Sequence, residues 1–423
     1  MAEKLKNCKE IPFLNLIQDL FMNKLQNILI LAGGDGTRFW PLTKKSYFSF
    51  LGQPLLKRQI NNLIKFSENL YIVVNSNDLD LINRINLKQK TRILEQNPAL
   101  TGMAGAVLSA KDKINGNALI LNAEDLIDLE LLRDYLNLIN KDSPEVIFTG
   151  RKVDNYFPGG YFRFAKERLV EIVEKPDPDK IPSNLIKLVV DYFSDIAKFI
   201  AVLEVTNSQN DDRYEQAVNN LLHQNVKARY LTYDDYWYPL KFPWHALPIM
   251  RHFLKTLDSE IKLGKNVSIA KTAKIVGPCF IDDNSVIGDF ALVRESHIGK
   301  SCIIGGYSEV TRSYLGNNVY LHRNYVGDSI LDNRVRLGAG AAIANLRFDE
   351  KSVKSRVGEN KIDTNLPKFG AVIGANSKIG VNATLLPGIK IGRNTLIAPG
   401  YTIAEDMEDN KFIFKRKTID NKF

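Results

Sequence analysis

Gly33, Gly34 and Gly36 are interleaved with Asp35 and followed by Thr37 and Arg38, and no other stretch of the chain is better suited to chemistry. Glycine lacks the Cβ that keeps oxygens away from a main-chain amide. Three glycines in four residues therefore let several N–H groups close on phosphate oxygens. Arg38 adds a planar fork of charged donors behind them. The run Asn27-Ile28-Leu29-Ile30-Leu31, ending ahead of Ala32, reads as a buried parallel strand that delivers the loop. No Gly-Lys-Ser/Thr follows, so this is not a P-loop, and the Gly33-Gly34-x-Gly36 spacing is not the dinucleotide-binding one. Strand, glycine turn and cation predict a phosphate-binding device of another kind, with a plain tight turn as the bland alternative.

The elements that must hold this loop are legible in the hydrophobic pattern. Strands are expected at 27–31, 70–74, 118–121 and 146–149, with helices such as 55–66 between them. Such alternation predicts an α/β domain, Rossmann-like with a mostly parallel sheet and helices on both faces, over 27–255. Ligands in such sheets bind at the carboxyl ends of strands, where the glycines stand. Ahead of it, Ile11, Phe13, Leu14, Ile17, Leu20, Phe21 and Leu25 recur at helical spacing, which predicts an amphipathic helix over 1–26.

From about 266 the period becomes six. Ile269, Ile275, Ile281, Ile287 and Val293 keep that step, and so do Ile373, Ile379, Leu385, Ile391, Ile397 and Ile403. Ala273, Cys279, Ser285 and Ala291 place small residues two before the anchors. This hexapeptide repeat predicts a parallel β-helix over 256–410 with aliphatic side chains inside, followed by a tail over 411–423. The period breaks from about 345 to 370 in a charged segment, and a long loop leaving a solenoid is often functional.

Composition narrows the classes. A length of 423 residues, 44% hydrophobic and 25% charged, fits two or three globular domains. The net charge of +9 suits anionic ligands, but the lysines are scattered, so small anions rather than nucleic acid are expected. Cys8, Cys279 and Cys302 show neither metal spacing nor a disulfide framework, which predicts a reducing, cytoplasmic setting. No apolar run reaches spanning length, so no membrane association is expected.

Leu31, Ala32, Gly34, Gly36, Thr37, Arg38, Pro41, Leu42 and Thr43 match the signature L-A-G/A-G-x-G-T-R-x-x-P-L-T, and the chain thereby resembles the sugar-phosphate nucleotidyltransferases. The resemblance implies that the loop, Gly33 included, wraps the triphosphate of an incoming nucleotide and that Arg38 is catalytic. Residues 97–102 resemble the segment that meets base and ribose, which implicates Gln96, Thr101 and Gly102. Glu174-Lys175-Pro176 matches the sugar-phosphate site, with Gly160 as its backbone contact, although a surface ion pair is the structural alternative. Where the family has Gly-Asp after a strand this chain has Ala123-Glu124, and Glu124 or Asp125 offers hard oxygen ligands for Mg2+. Two departures stand out. The family's lysine position falls in Tyr47-Phe48-Ser49-Phe50, with Lys44 and Lys45 out of step, and the family's second aspartate falls near Pro239 in a tract without carboxylates.

In the repeat region, His322, Tyr325, Gly327 and Asp328 resemble the H-x-x-Y-x-G-D segment of glucosamine-1-phosphate acetyltransferase domains. That implies the left-handed form of the β-helix, acetyl-CoA as co-substrate, and His322 as the base that deprotonates the attacking amine. It also implies Asn345 beside the sugar, Arg312 and Lys354 toward its phosphate, and Ala398 toward coenzyme A. An exposed corner of the solenoid is the bland alternative for His322. The whole resembles the bifunctional uridyltransferase/acetyltransferase family, with a nucleoside triphosphate and a sugar 1-phosphate as partners and a homotrimer formed through the β-helix. Two other readings stay open: a degenerate nucleotide-sugar binder that serves as a scaffold, and a mannose-1-phosphate guanylyltransferase-like enzyme, for which Phe39-Trp40-Pro41-Leu42 speaks.

Overall fold

The structure, a computed structural model, describes residues 24–414 apart from Thr43, Asn86, Lys88, Gln89 and Asp211. The helix expected over 1–26 and the tail beyond 414 therefore lie outside the described residues, Lys24 to Gln26 and Lys411 to Phe414 excepted. The chain forms two compact units. One takes residues up to Asp35 together with Leu56–Trp237, and the other takes Gly36–Leu55 together with residues from Tyr238 onward.

The first unit is built on a nine-stranded sheet. Its strands are β1 (Leu25–Ala32), β2 (Ser67–Val74), β3 (Thr91–Glu95), β4 (Ala118–Asn122), β5 (Val146–Lys152), β6 (Gly160–Ala165), β7 (Arg168–Glu174), β8 (Leu185–Phe193) and β9 (Ala228–Thr232). The main path runs β7-β6-β8-β4-β1-β2-β3, with β5 pairing β8 and β9. Pairing is parallel from β4 through β1 and β2 to β3, as the alternation of strands and helices predicts, and antiparallel around β8. The expected strands begin or end one to three residues inside these limits, because pattern reading misses polar ends such as Ser67 and Lys152.

Helices α1 (Leu55–Leu63), α2 (Leu79–Asn83), α3 (Gly102–Leu108), α4 (Glu130–Asp142), α5 (Ile196–Val205) and α6 (Arg213–Leu222) connect the strands. Leu29, Leu31, Tyr71, Val73 and Ile120 pack on one sheet face with Val107 of α3, Phe199 of α5 and Val218 of α6. Their alternates Ile28, Ile30, Ile72 and Leu119 are equally buried, which is why the strands read as unbroken apolar runs.

That core contains charge. Lys187 Nζ meets Asp191 Oδ2 at 2.6 Å with both side chains buried, and Tyr214 Oη donates to the same oxygen at 2.8 Å. Four residues of regular strand would hold Lys187 and Asp191 about 13 Å apart. The register against β5 slips between Leu188 and Asp191, and this bulge draws the two together. On α6, Asn219 bridges the backbone N–H and C=O of Ile172 at 2.7 and 2.9 Å. One turn earlier, burial pushes the Glu215 carboxyl from 4.5 up to about 7; Lys187 opposes the shift and Glu174 adds to it.

The second unit winds residues 261–413 into three parallel sheets of seven, eight and seven short strands. Each coil contributes one strand to each sheet, as when Cys279–Ile281, Val286–Ile287 and Leu292–Arg294 are succeeded by His297–Ile298, Ile303–Ile304 and Glu309–Thr311. The anchors Ile281, Ile287, Val293, Leu337, Ile379 and Ile397 all lie in one interior cluster. A buried aliphatic side chain of this kind contributes about 1.5–3 kcal/mol, so the step of six both specifies and stabilises the coil. The segment that breaks the period leaves after Ala342–Ile343, forms a hairpin of Lys354–Val357 with Asn360–Asp363, and returns at Val372–Ile373. Phe412–Ile413 closes the last coil by pairing with Leu396–Ile397.

One outer face of the solenoid is not solvated. Phe280, His297 and Tyr314 stack up successive coils, with centroids 5.2 and 4.5 Å apart. Residues 36–55 lie on this ladder: Phe48 packs 4.5 Å from Tyr314, and Tyr314 Oη donates to the Ser49 carbonyl at 2.8 Å. Helix α7 (Ala246–Lys255) joins through Phe253, 5.4 Å from Phe50.

The raised Glu215 carboxyl gives a prediction with a definite sign. The folded chain keeps this proton in a range where the unfolded chain has lost it, so raising the pH from 4.5 toward 7 costs stability. Glu215→Gln removes that cost. Denaturant unfolding at pH 5 and pH 8 should show the variant gaining on wild type by on the order of 2–3 kcal/mol between the two. Parallel pH dependence in the two proteins would contradict the burial of an ionisable group here.

Candidate functional site

At the end of β1, the Leu31 carbonyl accepts from Ala123 N at 3.0 Å. Gly33 follows, and a Cβ added there would lie 1.9 Å from Gln96 Oε1, so a side chain at this position would have to displace the Gln96 amide. Gln96 is itself anchored: its N–H bonds the Val74 carbonyl, and its Nε2 donates to Leu100 and Gly102 carbonyls at 2.8 and 3.3 Å. One side chain thus joins the glycine loop to the 100–102 turn. Thr101 caps the start of α3 in extended conformation, and Gly102 takes a left-handed φ of 67. Gly34 faces open space, since nothing lies within 4 Å of a Cβ placed on it. Asp35 accepts from Asn75 Nδ2 at 3.1 Å.

The loop continues into the second unit. Gly36 adopts a left-handed φ of 68 at the head of the short turn Thr37–Phe39. Phe39 is buried, while Arg38 is exposed and its guanidinium makes no hydrogen bond or ion pair among the described residues. An exposed, uncommitted guanidinium is well suited to an anionic ligand. Within the stretch 47–50, where the resemblance implies a lysine, Phe48 is buried against Phe39, Phe50 and Tyr314. A lysine does stand beside the loop, however: the Cε of Lys45 comes within 3.7 Å of a Cβ placed on Gly36. Its position in sequence is out of step, and only the turn Lys45–Tyr47 makes the proximity visible. Thr43 lies outside the described residues.

Past β4, Glu124 and Asp125 are adjacent and half-buried. The Asp125 carbonyl is held by Gln59 Nε2 at 2.7 Å, and its Oδ2 lies 3.4 Å from Asn122 Nδ2. No group of three acidic, histidine or cysteine side chains gathers as a metal cage among the described residues.

Gly160 and Glu174 are opposed across β6 and β7. A Cβ on Gly160 would come 3.1 Å from Glu174 Oε2, so the glycine leaves room for that carboxylate. Lys175 takes a φ of 42, bonds the Gly159 carbonyl through its N–H at 3.1 Å, and reaches Glu174 Oε1 at 3.0 Å. Glu174 is mostly buried and Lys175 mostly exposed, an unequal pair. Lys187, whose Cβ lies 3.8 Å from the same point on Gly160, belongs to this neighbourhood together with Glu215. Sequence reasoning passed over both. The available signal was two charged residues, Lys187 and Asp191, on one side of an otherwise apolar strand.

In the β-helix, the Arg312 fork grips Asp328 through Nε and Nη2, both at 2.8 Å. Asn345 Nδ2 donates to Asp328 Oδ2 at 2.5 Å, and Tyr325 Oη donates to Asn345 Oδ1 at 3.4 Å. A Cβ on Gly327 would strike Asn345 Nδ2 at 2.6 Å and Tyr325 Oη at 2.7 Å, so the network closes over a glycine. The Asp328 bond holds the Arg312 pKa above its usual value, and burial pushes the Tyr325 hydroxyl up. The structure thus brings together Arg312, Tyr325 and Asn345, and adds Asp328 as their hub. His322 stands three residues before Tyr325 at an exposed corner, with its N–H bonded to Asn324 Oδ1 at 2.5 Å. Lys354 is exposed on the inserted hairpin, and Ala398 is buried beneath the Ile413 carbonyl that its N–H bonds. Neither belongs to the Arg312–Asp328–Asn345–Tyr325 network.

Comparison with known proteins agrees with both halves. The Nucleotidyl transferase family matches residues 27–240, and the Bacterial transferase hexapeptide (six repeats) family matches residues 370–404. The repeat family identifies the three-sheet solenoid as a left-handed β-helix. The Bifunctional protein GlmU of Methanococcus aeolicus is 32% identical over 92% of this chain and 98% of its own length. The protein of the same name from Methanocaldococcus jannaschii is 27% identical over the same shares. A Bifunctional sugar-1-phosphate nucleotidylyltransferase/acetyltransferase of Sulfurisphaera tokodaii is 30% identical over 90% of this chain and 98% of its own. With a glycine loop at the end of a parallel strand, a hexapeptide β-helix behind it, and relatives matched over nearly their whole length, the chain belongs to the nucleotidyl transferase family in its bifunctional GlmU branch.

Proposed function

We propose that the chain joins a nucleoside triphosphate to a sugar 1-phosphate, giving a nucleotide sugar and pyrophosphate, and that its β-helix acetylates the amine of an amino-sugar phosphate with acetyl-CoA. The observation that carries the first activity is the loop: open backbone at Gly34, Gly33 sealed against Gln96, and an exposed, unpaired guanidinium at Arg38. In this reading an oxygen of the sugar phosphate attacks the α-phosphorus. The new P–O bond forms as the bond to the β-phosphate oxygen breaks, and pyrophosphate leaves with the electron pair. Amides from Leu31 to Thr37 and the Arg38 fork hold the triphosphate, and Lys45 adds charge beside Gly36. Gln96, Thr101 and Gly102 receive the nucleoside, while Gly160, Glu174 and Lys175 receive the sugar phosphate.

Magnesium, when bound, neutralises the triphosphate charge. Glu124 and Asp125 would hold it, because Mg2+ takes one or two carboxylates and completes its shell with phosphate oxygens and water. A cage of three protein ligands is not required for that.

For acetyl transfer, the His322 imidazole takes the proton as the amine nitrogen attacks the thioester carbonyl, and coenzyme A departs as the thiolate. Asn345 and Tyr325 orient the sugar, and Arg312 holds both through Asp328. With three of its N–H groups engaged, Arg312 keeps two for a phosphate. Lys354 and Ala398 serve the phosphate and coenzyme A. The extended solenoid faces support a homotrimer, and a cytoplasmic enzyme agrees with free, buried Cys279 and Cys302. Among the described residues no helix is long and apolar enough to cross a membrane.

A second reading, nucleotide-sugar binding without turnover, is favoured by one feature: the stretch 47–50, where the family's lysine is expected, holds no lysine and buries the rings of Phe48 and Phe50. Pyrophosphate release from UTP, GTP or dTTP with a panel of sugar 1-phosphates separates the two. One pair should support turnover, and Arg38→Ala should slow it by about 10²–10³. Lys45→Ala should lower it as well. Binding of nucleotide sugar with no turnover for any pair would leave the second reading. Acetyl-CoA consumption with glucosamine 1-phosphate should fall by about 10²–10⁴ in His322→Ala while pyrophosphate release is unchanged. Equal acetyl transfer by the two proteins would exclude His322 as the base.

A further inference from the structure

Arg38 has no polar partner of its own among the described residues, so its place is set by the backbone on either side. Behind it, that backbone is tied to the β-helix by a closed set of contacts. Trp40 Nε1 donates to Asp409 Oδ1 at 2.9 Å. The same oxygen accepts from Arg393 N at 2.8 Å. The Arg393 side chain then returns to the segment, with Nε on the Pro41 carbonyl at 2.9 Å and Nη2 on the Leu42 carbonyl at 2.6 Å. Lys390 lies over the Trp40 ring at 4.9 Å, and its Nζ donates to the Arg356 carbonyl of the inserted hairpin. A guanidinium on two successive carbonyls fixes direction as well as position, because its N–H groups are rigidly forked.

We infer that Arg393, with Asp409 and Trp40, is a positioning element for nucleotidyl transfer: the last coils of the β-helix set the direction in which Arg38 presents its guanidinium to the triphosphate. The inference rests on the proposed role of Arg38. It gives the solenoid a part in the first reaction that neither the loop nor the repeat implies alone. Among the described residues, the Arg393 side chain bonds the Pro41 and Leu42 carbonyls, and Asp409 Oδ1 bonds Arg393 N and Trp40 Nε1. Its effect must therefore pass through the segment it holds.

A double-mutant cycle on the full chain tests this. Steady-state pyrophosphate release and the dissociation constants of UTP, GTP and dTTP are measured for wild type, Arg38→Ala, Arg393→Ala and the double variant. Acetyl transfer is followed as a check that the solenoid is intact. Arg393→Ala should weaken binding of the productive triphosphate about 10-fold and lower kcat, with the KM for sugar 1-phosphate and acetyl transfer within twofold of wild type. In the Arg38→Ala background the same substitution should change triphosphate affinity less than twofold. Arg393→Lys should restore only part of the loss, since one ammonium cannot span two carbonyls with the same geometry. If Arg393→Ala unfolds the solenoid, Trp40→Phe, which deletes one hydrogen bond and keeps a ring, replaces it in the cycle with the same expected pattern. An equal loss in both backgrounds, or none in wild type, overturns the inference. Absence of turnover in wild type with undiminished triphosphate binding defeats the proposed reaction instead, and the affinity cycle still reads the clamp.

Discussion

A main chain donates several amide hydrogens to one phosphate group most readily where glycines leave no Cβ between them. Residues 33–36 satisfy that constraint in three different ways. At Gly33 the Gln96 amide occupies the space a side chain would take, Gly34 faces open solvent, and Gly36 has a left-handed φ. The surrounding structure follows from it. The loop must leave a rigid strand, which β1 provides by lying between two parallel neighbours. It must be stiffened from one side, which Gln96 does by spanning to the 100–102 turn. The segment just after Arg38 is held by packing against the β-helix rather than by the sheet.

The β-helix accordingly has two surfaces with separate duties. Its interior is an aliphatic ladder whose burial holds the coils in register. One of its outer faces carries the Phe280–His297–Tyr314 stack and then Lys390, and residues 36–55 cover that face. The Arg312–Asp328–Asn345–Tyr325 network occupies another part of the same coils. A solenoid suits this use, because consecutive coils repeat the same three faces and each face can be specialised without disturbing the others.

Much of this could be read in the sequence, for identifiable reasons. The step of six is nearly strict because every interior position is an aliphatic site of similar size, as Ile281, Ile287 and Val293 illustrate. The glycine loop was legible because bare backbone is required there. Three things were hidden. Lys187 and Asp191 are four residues apart on a strand, and only a bulge makes them partners. Phe48 and Phe50 look like part of the first domain in sequence order, yet their apolar surface is satisfied by Tyr314 and Phe253, more than 200 residues later; periodicity says that a residue is buried but not against what. Arg393 reads as an ordinary polar corner of a repeat, and nothing local distinguishes a corner facing water from one holding two carbonyls.

In the proposed function the loop brings about transfer of a nucleotidyl group and does more than hold phosphates. The most direct measurement follows the α-phosphorus itself. The full chain is incubated with magnesium, a sugar 1-phosphate and α-³²P-labelled nucleoside triphosphate, for UTP, GTP and dTTP in turn, and the products are separated. The account predicts that label passes into a nucleotide sugar in step with pyrophosphate release for one pairing, and that Arg38→Ala suppresses both. Label remaining in the triphosphate for every pairing, in a protein that still binds the labelled nucleotide, would contradict it.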